Sequence, residues 1–231
     1  MSKFLSIFMN YDEEWGSYSL SQNGTYALVL ILVLSMLVAA FLVDRKQKSA
    51  KFSTKQLVFS GVALALGFIT SYIKYEMPFG GSVTLLSMFF ICFIGYMYGI
   101  KVGLFTAFAY SILQFLQSGG SYFLTPFQIC CDYFFAFMAL GITGFFYKKK
   151  NGLIIGYLIA IIIRGLFHTI GGYLFWMDYM PEDFPKTLAF AYPVIYNYSY
   201  ILIEGAITLI VIQLPPVKMA IDRIKSLGTS Q

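Results

Sequence analysis

Seven apolar runs alternate with short polar segments along the chain, at residues 25–43, 56–73, 84–98, 102–117, 122–147, 153–176 and 191–214. About 20 helical residues cross the hydrocarbon core of a bilayer. No ten-residue stretch alternates between apolar and polar in the manner of a barrel strand, so the runs predict membrane-spanning helices. The segments between them are rich in turn formers. Residues 74–83 hold Glu76, Pro78 and Gly80-Gly81-Ser82, and Ser118-Gly119-Gly120-Ser121 separates the fourth run from the fifth. Small residues recur at four-residue steps, as Gly61/Ala65 and Ala63/Gly67 in the second run and Gly95, Gly99 and Gly103 around one bend. Such spacing lets helices approach closely.

Composition agrees with this pattern. Hydrophobic residues make up 58% of the 231 residues and charged residues 12%, against about 25% charged for a soluble domain. The net charge of +5 does not indicate a nucleic-acid partner, because the basic residues cluster between runs: Arg45 to Lys55, Lys101, Lys148 to Lys150, and Lys218 to Lys225. Under the positive-inside rule these segments face the cytoplasm. Acidic Asp12, Glu13 and Glu14 precede the first run, and Asp178, Glu182 and Asp183 follow the sixth. Charge and parity together predict a multi-pass protein of the cell membrane with its N-terminus outside and its C-terminus cytoplasmic. The expected division is 1–54, a polar tail, one transmembrane helix and a basic linker, and 55–231, a membrane domain ending in a basic tail. Cys92, Cys130 and Cys131 lie within apolar runs and lack metal-site spacing, so neither a metal nor a cofactor is expected.

Four ionisable residues fall inside the runs: Asp132, Arg164, His168 and Glu204. Charged groups at bilayer depth are costly, so they normally face the protein interior and find partners. Arg164 and Glu204 should lie at similar depth, roughly 15 Å from the inner face at 1.5 Å per residue, which predicts a structural ion pair. Asp132 and His168 lie nearer the outer face, with Asn197 close to the same level and Trp176 and Tyr192 at the rim. His168, Gly172 and Trp176 follow at four-residue steps along one helix, and the glycines leave room beside the imidazole for a ligand or another backbone. An acid, an imidazole, an amide and aromatic faces at one depth suit a small, polar, cationic ligand reached from outside.

Catalytic signatures are missing. There is no Gly-x-Ser-x-Gly elbow, no His-Glu-x-x-His and no Gly-rich loop with Lys-Ser/Thr, so the chain itself does not use ATP. Its remaining enzymatic reading is an intramembrane enzyme built on His168 and Asp132.

Four stretches in register carry a resemblance. Pro78-Phe-Gly-Gly-Ser-Val-Thr-Leu, Pro126-Phe-Gln-Ile-Cys-Cys-Asp132-Tyr133, His168 with Trp176, and Tyr192 with Asn197 resemble the thiamine-binding S components of energy-coupling factor (ECF) vitamin transporters. That resemblance implies a six-helix membrane bundle over about residues 55–215. It also implies thiamine held near the outer side, and docking on a shared transmembrane coupling subunit driven by two cytoplasmic ATPases. The fold class expected is therefore an all-α integral membrane protein, a six-helix S-component-like bundle plus one extra N-terminal transmembrane helix. By position Asp132, Tyr133, His168, Trp176, Tyr192 and Asn197 would be ligand contacts, and Gly61 with Ala65 would resemble the docking face. The alternative within transport is another vitamin or precursor, such as hydroxymethylpyrimidine. The loop 74–83 lacks the tryptophan with which some members cover the ligand, and Phe79 is the substitute expected there. Five residues turn a helix by about 140°, so Tyr192 and Asn197 share a ligand only if Tyr192 reaches over from the first turn. Tyr196 and Tyr200 are rival contacts.

Overall fold

In the computed structural model, residues 5–12, 17–21, 23–24, 27, 30, 34, 52–77, 81–119 and 123–229 are described. The expected extra helix at 25–43 and the aromatic Phe79 lie outside them, apart from three positions of the former. Near the N-terminus, β1 (Met9–Asp12) pairs antiparallel with β2 (Ser17–Leu20). The membrane domain begins with α1 (Thr54–Ser71), whose N-cap Ser53 and Gln56 form a reciprocal capping box. There follow β3 (Lys74–Glu76), β4 (Ser82–Thr84), α2 (Ser87–Tyr98), α3 (Ile100–Gln117), α4 (Pro126–Phe146), α5 (Gly152–Tyr179), α6 (Lys186–Gln213) and α7 (Pro215–Thr229). Five of these helices are long and apolar enough to cross a membrane, and α2, with 12 residues, is a shorter apolar helix. This is an all-helical membrane bundle, as the apolar runs predict.

Two local differences follow from chemistry outside the runs. Strands β3 and β4 pair antiparallel, Lys74 opposite Thr84 and Glu76 opposite Ser82, and Met77 N–H donates to Gly81 O at 3.0 Å. The apolar run predicted from residue 84 turns helical only at Ser87, after Leu86 at φ 61°. The basic C-terminal tail is helix α7. Its Ile221 and Gly228 are buried, while Lys218 and Arg223 are exposed. Lys225 Nζ donates to Tyr96 Oη at 2.6 Å, and Tyr98 Oη donates to Gly228 O at 3.2 Å, so the tail closes over the C-terminal end of α2.

The core runs through α2, α4, α5 and α6, with Met88, Ile91, Leu140, Tyr157 and Ile201 fully buried. Helices α2, α3 and α4 cross backbone to backbone: a Cβ on Gly103 would lie 2.7 Å from Gly95 Cα and 2.8 Å from Gly141 O. This contact explains part of the four-residue glycine repeat, since nothing larger fits the crossing. In α1 the two small-residue pairs part company. Gly67 and Ala63 are buried, and Gly67 faces Ser87 O and Tyr110, whereas Gly61 and Ala65 are exposed, and no atom of the described residues beyond its own helix lies within 4 Å of a Cβ placed on Gly61. Only 17% of α1 is buried within the protein, against 56% of α4. Among the described residues, nothing covers this face of α1.

Candidate ligand site

Asp132 and Trp176 both sit in the described π-helical segments of the spans, Cys130–Phe135 in α4 and Gly172–Trp176 in α5. A π-turn carries an extra residue and re-aims the side chains around it, and such turns gather at functional sites. Here they point two distant side chains at each other: Trp176 Nε1 donates to Asp132 Oδ2 at 2.9 Å. Gln128 Nε2 donates to the same oxygen. The other oxygen, Oδ1, stands 3.6 Å from His168 Nδ1, and the two side chains are 15% and 11% exposed. A Cβ on Gly171 would stand 2.7 Å from Oδ1, so the room this glycine leaves is taken by the carboxylate. The space at Gly172 is taken by the Pro193 ring of α6, a neighbouring helix rather than a ligand.

The imidazole has a defined tautomer. Arg164 Nε donates to His168 Nε2 at 3.4 Å, and arginine cannot act as an acceptor. Nε2 is thus the bare nitrogen and Nδ1 carries the proton, aimed at Asp132. The guanidinium stacks over Phe137, with Cζ 4.3 Å from the ring centroid.

The predicted pair of Arg164 and Glu204 does not form. Both are buried, at 9% and 3% exposure, but they serve different neighbours. Glu204 Oε2 accepts from Thr84 N–H at 3.0 Å and from Thr84 Oγ1 at 2.7 Å. Its Oε1 faces Ser87 Oγ and Met88 N, each at 3.4 Å. The reason is the late start of α2: a helix beginning inside the bundle exposes orphan N–H groups and a positive dipole end, and no side chain of its own caps it. Glu204 fills that role from α6.

Asn197 is a brace. Its Nδ2 donates to Pro193 O at 2.8 Å and His168 O at 3.3 Å, and its Oδ1 accepts from Tyr200 Oη at 3.0 Å. Tyr192, Tyr196 and Tyr200 meet in sequence, tilted and then edge to face, with centroids 5.7 and 6.0 Å apart, and Tyr200 meets the His168 ring edge to face at 6.3 Å. Gly81, next to β4, packs directly on the Tyr200 ring. Of the two rivals to Tyr192, Tyr200 is therefore the one against His168. Tyr133 turns into an aromatic cluster with Phe115 and Phe123, at 5.6 and 6.1 Å.

Gln128 is a residue that sequence reasoning passed over. It is 1% exposed, its N–H is capped by Thr125 Oγ1, and its Oε1 accepts from Leu124 N–H. Two signals announced it: Thr125-x-x-Gln128 has capping-box spacing, and Gln128 precedes Asp132 by four residues, one helical turn.

The profile of the thiamine transporter protein family (Thia_YuaJ) matches residues 57–222, well over half of the chain. The chain belongs to this thiamine transporter family. Thiamine transporter ThiT of Bacillus subtilis (strain 168) is 31% identical over 157 residues, 62% of this chain and 79% of that protein. The solved structure of ThiT from Listeria monocytogenes aligns with a TM-score of 0.57 at 23% identity, over 70% of this chain and 94% of the other. That likeness carries the fold, and it agrees with the S-component-like bundle expected from the sequence. Members of the thiamine transporter family are transport proteins, so the reading of Asp132 and His168 as an intramembrane enzyme is set aside.

Proposed function

We propose that this chain is the thiamine-binding S component of an ECF-type transporter, which takes thiamine from outside and passes it on through a coupling subunit driven by two ATPases. The observation that carries the ligand reading is the half-buried Asp132 carboxylate, already ordered by Gln128 and Trp176 and facing the neutral His168. Thiamine combines a permanently cationic thiazolium with an aminopyrimidine, and a fixed carboxylate offers both counter-charge and an acceptor. Trp176 and His168 reach this carboxylate directly, and in this reading Tyr192, Tyr133 and Asn197 complete the set of ligand contacts. Titration of purified protein with thiamine and separately with its pyrimidine and thiazole halves tests this. Thiamine should bind most tightly. A protein that binds the pyrimidine half alone as tightly as thiamine would instead serve a precursor such as hydroxymethylpyrimidine.

The outer placement of the site requires the N-terminus outside and the C-terminus in the cytoplasm, as the basic segments suggest. Cysteines introduced at Met180 and Lys149 should label in intact cells at the first position, and only after permeabilisation at the second. The opposite pattern reverses the topology. Residues 1–54 form a separate N-terminal part in this reading, supported by a family match that begins at residue 57. Coupling falls to the Gly61 face of α1. Gly61→Leu adds bulk where no other described helix comes close, so complex formation and uptake should fail while thiamine binding persists. Co-purification of this variant with an intact transporter complex would place the docking face elsewhere.

A further inference from the structure

We infer that Gln128 is the positioning residue of this site, holding the Asp132 carboxylate in the one orientation that leaves Oδ1 for a ligand donor. The inference rests on the reading of Asp132 as a ligand contact. Oδ2 already receives two donors, Gln128 Nε2 and Trp176 Nε1. A carboxylate oxygen has about two acceptor sites, so Oδ2 is full. Among the described residues, Oδ1 has only the long approach of His168 Nδ1 at 3.6 Å, beyond hydrogen-bond reach. Of the two oxygens, Oδ1 is thus the one with capacity to spare.

Gln128 is suited to fix this division because it is itself locked. Its backbone N–H is held by Thr125 Oγ1 at 3.0 Å and its side-chain oxygen by Leu124 N–H at 3.1 Å. The amide must therefore present its NH2 to Asp132, since its oxygen is committed to the backbone. Trp176 approaches from another helix and forms a single bond to the carboxylate, so it cannot by itself stop the group from turning. A side chain whose rotamer is set by packing and by further hydrogen bonds is what keeps a binding group within about 0.5 Å of its working place.

The test is a double-mutant cycle of Gln128→Met and Asp132→Ala, carried in a Trp15→Phe background so that Trp176 is the sole tryptophan. Gln128→Met should weaken thiamine binding about 10-fold when Asp132 is present, and by less than about twofold when it is absent. Without ligand, Trp176 emission should shift in each single variant, with no further shift from Gln128→Met once Asp132 is gone. Equal effects of Gln128→Met in both backgrounds, on binding or on emission, would show that Gln128 acts on the fold and would overturn the inference. Should the methionine variant fail to fold, Gln128→Leu also removes the donor to Asp132 without adding a charge, and is read in the same way. A parent that binds no thiamine defeats the proposed function alone, because the emission cycle still decides the role of Gln128.

Discussion

Glu204→Ala is expected to lower the unfolding free energy of the membrane domain by about 2–4 kcal/mol, chiefly by orphaning buried backbone donors at about 1–3 kcal/mol each. The carboxylate is 3% exposed and collects Thr84 N–H, Thr84 Oγ1, Ser87 Oγ and Met88 N–H. Those groups belong to the end of β4 and the first turn of α2, so its loss loosens the strand pair and the helix together. Glu204→Gln keeps one acceptor but puts an NH2 against donors, and should lose less than the alanine variant. Thermal unfolding in detergent measures both. The same method decides the fate of the expected ion pair. Because Arg164 turns to His168 and Phe137, the Arg164→Leu and Glu204→Ala effects should add to within about 0.5 kcal/mol. A coupling of several kcal/mol would mean that the two charges face each other after all.

The misreading of Glu204 shows where the chain's own pattern stops. Depth along a helix can be counted from sequence, and the count set Arg164 and Glu204 at one level. What no count reveals is that α2 starts three residues inside its apolar run. The cause is long-range: the acceptor for its first amides is more than 100 residues away. The five span-length helices among the described residues were legible because apolar length is a local signal. The amphipathic α7 was legible in principle, since Val217, Ile221, Ile224 and Gly228 recur at helical spacing, but its basic residues read first as a tail. Asp132, His168 and Trp176 stood out as polar or amphipathic groups in apolar runs, and the structure brings them together. Asn197 stood out for the same reason, yet its amide is consumed by His168 O, Pro193 O and Tyr200. A buried amide looks the same in sequence whether it serves a ligand or a neighbouring carbonyl. The π-turns that aim Asp132 and Trp176 left no mark that periodicity detects.

Asp132→Asn should weaken thiamine binding by about 1.5–3 kcal/mol, the range for hydrogen bonds to charged groups, or roughly 10- to 150-fold. The substitution keeps the size of the side chain, so the glycine at 171 still accommodates it. It removes the charge that answers the thiazolium, and it also leaves the amide without a satisfactory orientation. With its oxygen at the Oδ2 position, it retains the donors of Gln128 and Trp176 but turns an NH2 towards the ligand and towards the Nδ1–H of His168. Flipped over, it opposes NH2 to both of those donors instead. The imidazole cannot relieve the conflict by exchanging its proton, because Arg164 already donates to Nε2. The fold should survive, since a neutral amide is cheaper to bury than an unpaired carboxylate. A titration of purified parent and variant, each checked for an unchanged melting temperature, separates the outcomes. Equal affinity would make Asp132 a structural acid and remove the central residue of the proposed site.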